Sequence, residues 1–249
     1  MALMSCGGCT ASSSGRAEAR RTMRIAIVGY GRMGHAVEAA ARARGHEITA
    51  ALDLGDPLTA DRLGGANVAI EFTTPAAAAH NLVQLVEAGV PVVCGTTGWH
   101  GEVPRVAEVV RARGGALLYA TNFSLGVQLF LKAAADLARR FRDQPGYDGF
   151  IVEEHHARKL DAPSGTALSL QAAAGGADAD RSFPITSVRA GSIPGIHRLA
   201  YDGVYDTVTL EHVARTRDGF AAGAVLAAEW LPGRRGVFTF EEMLFGEKP

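Results

Sequence analysis

Neither sign of charge prevails in this 249-residue chain: 25 Lys and Arg stand against 26 Asp and Glu, a formal net charge of -1. A surface without a positive excess has little electrostatic hold on a phosphate backbone, so nucleic acid is not an expected partner. Long apolar runs are missing too. No stretch approaches the roughly 20 apolar residues of a bilayer-spanning helix, so no membrane partner is expected. Cysteine is scarce, with Cys6, Cys9 and Cys94 alone. Three thiols give no disulfide framework, and Cys94 lies in an apolar run suited to a reduced buried thiol, which reads as a cytoplasmic chain. What is abundant is apolar content, 47% of residues, enough for one large or two modest domains.

Residues 1–22 carry Ser, Ala, Gly and Arg without apolar period and without the apolar core of a secretory signal, so a disordered leader is expected there. Cys6-Gly7-Gly8-Cys9 has the spacing of a redox or metal pair, but no second pair accompanies it. A transit peptide is the lesser alternative, and Met23, directly before the first strand pattern, is an alternative start.

From Arg24 the pattern becomes regular. Ile25-Ala26-Ile27-Val28 reads as a strand, Gly29-Tyr30-Gly31-Arg32-Met33-Gly34 as a glycine-rich turn, and His35 to Arg44 as a helix. Such a turn aims backbone amides at a pyrophosphate, and its last glycine lets helix and strand pack closely. Glu47 to Leu52 reads as a second strand ending at Asp53, about 20 residues on, where an acid can hold the ribose hydroxyls. Further strands at 67–72, 91–94 and 116–119 alternate with helices at 75–88 and 103–113, which implies a parallel sheet with right-handed crossovers. Ligands bind such sheets beyond the carboxyl ends of the strands. Thr73 and Thr74, then Gly95, Thr96 and Thr97, then Ala120, Thr121, Asn122 and Phe123 therefore line up with the glycine turn along one cofactor cleft, although hydroxyls in such places also serve as helix caps.

Beyond Phe123 the character changes. A helix at 125–141 with an apolar stripe, a strand at 148–154, strand-like runs at 185–189, 196–201 and 206–214 and a helix at 220–231 suggest a second unit with a mostly antiparallel sheet. The fold class is thus α/β: a Rossmann-type parallel sheet domain at 23–122 plus an α+β substrate and oligomerisation domain at 123–231, with 232–249 packing back on the first.

The densest chemistry lies in Glu153-Glu154-His155-His156-Ala157-Arg158-Lys159-Leu160-Asp161-Ala162-Pro163-Ser164-Gly165-Thr166. Pro163 ends what precedes, Ser164 can cap the helix that follows, and the amides of Gly165 and Thr166 are then free donors at a positive helix end. With Lys159 nearby this suits a carboxylate or phosphate.

Gly29 to Gly34, Gly95-Thr96-Thr97-Gly98, Asn122-Phe123-Ser124, Glu154-His155-His156 with Lys159 to Thr166, Arg189-Ala190-Gly191 and Gly219-Phe220 occur in that order. Together they resemble the 4-hydroxy-tetrahydrodipicolinate reductase (dihydrodipicolinate reductase) family, from about Met23 to the C-terminus. The resemblance implies a homotetramer of two-domain subunits that reduces a cyclic imine dicarboxylate with NADH or NADPH in lysine and diaminopimelate synthesis. It implies a cofactor on Gly29, Tyr30, Gly31, Arg32, Met33, Gly34 and Asp53, with Gly95 to Thr97 and Ala120 to Phe123 near the nicotinamide half. His155 and Lys159 become the implied catalytic pair, and His156, Ser164, Gly165 and Thr166 the substrate contacts. Several members follow the acid after the second strand with Arg, whereas Leu54 follows Asp53 here. That weakens the expected grip on the 2'-phosphate and favours NADH.

Three rivals stand beside this reading. A metal hydrolase with Glu154, His155, His156 and Asp161 as ligands conflicts with strand geometry, which turns adjacent residues to opposite faces, and no metal is expected. A non-catalytic dinucleotide sensor would use the His-His-Lys group only as an interface. A dehydrogenase of another small amino or oxo acid is the nearest alternative.

Overall fold

The computed structural model describes residues 22–246. The expected leader and the Cys6–Cys9 pair lie outside them, apart from Thr22. Among the described residues no helix is long and apolar enough to cross a membrane.

The first sheet is built from β1 (Arg24–Val28), β2 (Glu47–Leu52), β3 (Val68–Glu71), β4 (Val92–Cys94), β5 (Ala116–Tyr119) and β10 (Gly236–Thr239). Its order is β10-β5-β4-β3-β1-β2, and every neighbouring pair is parallel. Parallel strands are buried on both faces, which explains their short, continuous apolar runs. Alternate residues feed two cores. Ile25, Ile27, Ile70 and Val93 face α1 (Arg32–Ala43) and α6 (Asp218–Trp230). Ala26, Val28, Ala69 and Val92 face α2 (Pro75–Glu87) and α3 (Val103–Ala112). Although it follows the second unit in sequence, α6 therefore lies on the first sheet, where Ala221, Ala224, Val225 and Ala228 are buried. The order in which strands are added across the sheet reverses at β1, with β2 on one side and β3, β4, β5 and β10 on the other, and that switch point is where such sheets open a ligand crevice.

The second sheet runs β7-β6-β8-β9, from β6 (Tyr147–His155), β7 (Ile185–Arg189), β8 (Ile196–Gly203) and β9 (Thr207–Val213). β6 and β7 are parallel, and the other two pairs are antiparallel. One face is covered by α4 (Leu125–Phe141) and α5 (Gly165–Ala177) through Phe130, Ala134, Leu170 and Ala174 packed on Ile151, Leu199 and Tyr201. Ile151 is fully buried there, and truncating it to Ala would cost about 2–5 kcal/mol. The other face carries Phe150, Val152, Glu154, Ile196, Arg198, Glu211 and Val213 with no element laid over it among the described residues. The fold class is the expected one, and element ends differ from the sequence reading by up to three residues, the first helix beginning at Arg32 rather than at the expected His35.

Candidate active site

The alternation along β6 builds the centre of the site. Gly149, Ile151, Glu153 and His155 all turn inward, so the strand that packs the core at Ile151 ends by pointing a carboxylate and an imidazole at the core's edge. Glu153 is fully buried. One of its oxygens meets Nδ1 of His155, and the other accepts from Arg189 Nη2 at 2.6 Å. Burial raises the Glu153 carboxyl, but the hydrogen bonds from Arg189 and Ser187 and the charge of His155 override it and hold the pKa at about 2. An ionised carboxylate only accepts, so Nδ1 of His155 carries the hydrogen and the imidazole is fixed in one orientation. Burial lowers the His155 pKa, and Lys159 and Arg189 act the same way against Glu153.

His197, opposite Glu153 across the β6–β8 pair, packs edge-on to His155 at 5.1 Å between ring centroids. Its Nε2 lies 3.0 Å from Ser164 Oγ, and burial, then the charge of His155, pushes its pKa down to about 4. Ser164 is the N-cap of α5, its hydroxyl accepting from the Ala167 amide at 3.2 Å. The serine hydroxyl is thus committed within the protein. The Gly165 and Thr166 amides open the helix and have no intrahelical acceptor, and a Cβ placed on Gly165 would meet no atom within 4 Å, so space above this donor pair is free.

A cleft of about 850 Å³ brings these groups opposite the carboxyl edge of the first sheet. His155, His156, Lys159, Ser164, Gly165 and Thr166 line one side, and Thr97, Thr121 and Asn122 the other. Asn122 Nδ2 reaches Thr166 Oγ1 at 3.5 Å, a contact across the two units. His156 presents a buried Nδ1 with no protein partner. Lys159 Nζ pairs with Asp161 at 2.7 and 2.9 Å, and this contact lowers the Asp161 carboxyl.

The glycine turn lies at the carboxyl end of β1, with Asp53 directly after β2 on the same edge. Gly29 has a φ of +91° and Gly34 packs so closely that a Cβ there would stand 2.4 Å from the Gly29 carbonyl oxygen. No acidic residue occupies the first turn of α1, and no side chain caps it. A negatively charged pyrophosphate fits this uncapped helix start. Tyr30 instead donates to Glu38, and Arg32 is exposed. Two expected cofactor residues offer no free side chain: Phe123 is buried in the core against Phe72 and Phe240, and the Thr96 hydroxyl is bonded to Glu71 and to the Thr73 amide. Gly95 and Ala120 stand at the ends of β4 and β5, short of the cleft itself.

The arrangement has a measurable likeness to known proteins. The family models for dihydrodipicolinate reductase match this chain in two parts, the N-terminal model over residues 23–123 and the C-terminal model over residues 126–244. The chain belongs to the dihydrodipicolinate reductase family. A relative named 4-hydroxy-tetrahydrodipicolinate reductase from Christiangramia forsetii is 37% identical over 236 residues, 89% of this chain and 98% of that one. Another of that name from Thiobacillus denitrificans is 36% identical, covering 90% and 98%. The solved dipicolinate-bound dihydrodipicolinate reductase from Paenisporosarcina sp. TG-14 shares the fold at a TM-score of 0.76 with 22% identity, over 90% of this chain and all 100% of that one.

Four residues of the site have no role in the sequence reading: Glu153, Arg189, His197 and Arg217, the last of which lines the cleft. Glu153 was legible in principle, since a residue two before His155 on a strand shares its face. Arg189 Nη2 also reaches the Asp161 carbonyl at 2.6 Å, so it braces both the strand and the loop after it. His197 comes from another strand, and Arg217 from the segment returning to α6, and nothing local marks either. The alternation also settles Glu154, which faces away from His155 and pairs with Arg198. Glu153, His155 and His197 do bring three potential ligand atoms within 4.8 Å of one another, but Arg189 and His155 already occupy both oxygens of Glu153.

Proposed function

We propose that this chain is a 4-hydroxy-tetrahydrodipicolinate reductase, an NAD(P)H-dependent oxidoreductase that forms tetrahydrodipicolinate in lysine and diaminopimelate synthesis. The observation that carries the proposal is the single cleft in which His155, His156, Lys159 and the α5 amides face the loops after β4 and β5. A small dicarboxylate suits it. One carboxylate takes the Gly165 and Thr166 amides with the Thr166 hydroxyl, and Lys159, released from Asp161, supplies a further donor beside His156 in the cleft lining.

The cofactor is a nicotinamide dinucleotide, which supplies hydride when bound. The uncapped amides of α1 hold its pyrophosphate, Asp53 its adenosine ribose, and the backbone from Thr96 to Thr97 and Ala120 to Phe123 its nicotinamide half. Asp53 accepts from ribose hydroxyls and repels a 2'-phosphate, so NADH is the favoured donor. His155 and Lys159 hold the proton that the reduced ring must gain, with Glu153 as a positioning residue that fixes the imidazole.

The reading includes a homotetramer, and the open face of the second sheet supports it. Val188 and Val213 are exposed there, beside half-buried Phe150, Val152 and Ile196 and the ion pairs Glu154–Arg198–Glu211. Copies meeting on this face would bury it. A cytoplasmic location agrees with a soluble biosynthetic enzyme.

The deciding assay follows NADH oxidation by the purified chain with freshly prepared dihydrodipicolinate synthase product, with dipicolinate as a competitive inhibitor. Turnover only when that product is present is the expected result. Equal turnover with a simple 2-oxo acid and ammonia would point instead to another amino or oxo acid dehydrogenase.

A further inference from the structure

Glu71, the last residue of β3, is a second fully buried carboxylate, and no ion pair reaches it among the described residues. A carboxylate without a counter-charge is an expensive occupant of a parallel strand, where an apolar side chain would pack as well, so it calls for an account beyond the core. Its partners supply one. Thr96 Oγ1 donates to it at 2.8 Å, Cys94 Sγ at 3.1 Å, and Thr73 Oγ1 donates to the second oxygen. The Thr73 amide then donates to Thr96 Oγ1 at 2.7 Å, which closes a ring of contacts between the loops after β3 and β4. Burial, and next the charge of Glu71, pushes the Cys94 thiol well up, so it remains protonated and available as a donor.

The same loops are locked from above. Gly95 packs against the Phe72 ring so closely that a Cβ there would lie 2.0 Å from it, and Trp99 Nε1 donates to the Thr96 carbonyl at 2.8 Å. The loop after β4 reaches the cleft at Thr97, and the loop after β3 backs the glycine turn, where a Cβ on Gly29 would lie 2.1 Å from the Phe72 carbonyl oxygen.

We infer that Glu71 is a positioning residue of the cofactor cleft: from beneath the sheet edge it ties the Thr73 and Thr96 loops into one rigid unit that sets the place of the nicotinamide half. The inference rests on the dinucleotide reading given above. Thr96 then serves the cofactor through its backbone alone, because Glu71 and the Thr73 amide consume its hydroxyl.

The test compares NADH with ADP-ribose, which lacks the nicotinamide, by equilibrium binding to the full chain and to Glu71→Gln. Gln keeps the shape but turns a donor toward hydroxyls that need an acceptor. NADH should bind about tenfold more weakly while ADP-ribose stays within about twofold of wild type, the scale of a lost charge-assisted hydrogen bond acting on one half of the ligand. Thr96→Val, which keeps the shape but removes both the donor to Glu71 and the acceptor for the Thr73 amide, should give the same split and serves if Glu71→Gln does not fold. Equal weakening of both ligands, or a lower melting temperature with both affinities intact, would overturn the assignment. Wild-type protein that binds neither ligand would instead remove the dinucleotide reading on which it rests.

Discussion

Glu153 and His155, two residues apart on one strand, point the same way, and the buried carboxylate meets the imidazole at Nδ1 while Arg189 holds its other oxygen. The charge of Glu153 raises the His155 pKa against burial, so it governs how long the imidazole stays protonated as pH rises. The proton donor should be lost as pH rises through a His155 value below the ordinary 6.5. In Glu153→Gln that limb of the kcat/KM profile should move to lower pH and kcat fall by about tenfold, with NADH affinity unchanged. A profile that keeps its position would remove the link between the two residues.

Roles within the cleft separate by kinetics. His155→Gln should lower turnover by about 10²-fold, the scale of general acid catalysis, and Lys159→Met should lower turnover and raise KM together. Thr166→Val should mainly raise KM, because a carboxylate contact exists in ground and transition states alike. Fluorescence titration should find NADH affinity near wild type in all three. Loss of NADH binding in His155→Gln with normal turnover would reassign the segment to the cofactor.

His197 gives stability a pH dependence. Its folded pKa of about 4 lies below the ordinary 6.5, so the unfolded chain binds the proton more readily. Its contribution is complete above 6.5 and is lost as pH falls toward about 4. His197→Asn should flatten the fall in melting temperature over that window. Glu153 acts lower: its stabilisation is present above the ordinary carboxylate range and fades as pH falls through about 2.

In the proposed cofactor site, donor choice should turn on Asp53, whose carboxylate accepts from the Leu54 amide at 2.9 Å and has no Arg beside it in sequence. KM for NADH should be no higher than for NADPH, and Asp53→Ser should lower the NADPH value selectively. A strong wild-type preference for NADPH would point to Arg32 as the phosphate partner.

The open sheet face predicts assembly. Val213→Asp places a charge on an exposed position of that face and should yield smaller species by sedimentation, with the fold intact by circular dichroism. An assembly of unchanged size would place the contacts elsewhere.

The sequence alone determined the parts of this protein that depend on local spacing. The β1 to α1 glycine turn, the position of Asp53, the run from His155 to Thr166 and the apolar stripe of α4 are all written in contiguous residues, because strand alternation, helix period and capping act over a few positions. Only the tertiary structure decided what comes from elsewhere in the chain. It set α6 on the first sheet, brought Arg189 and His197 to Glu153 and Ser164, and gave Thr96 and Phe123 to internal contacts in place of a free surface. A side chain's partner depends on which strands pair and in what register, and that follows from burying two apolar cores at once, a property of the whole chain that no single segment contains.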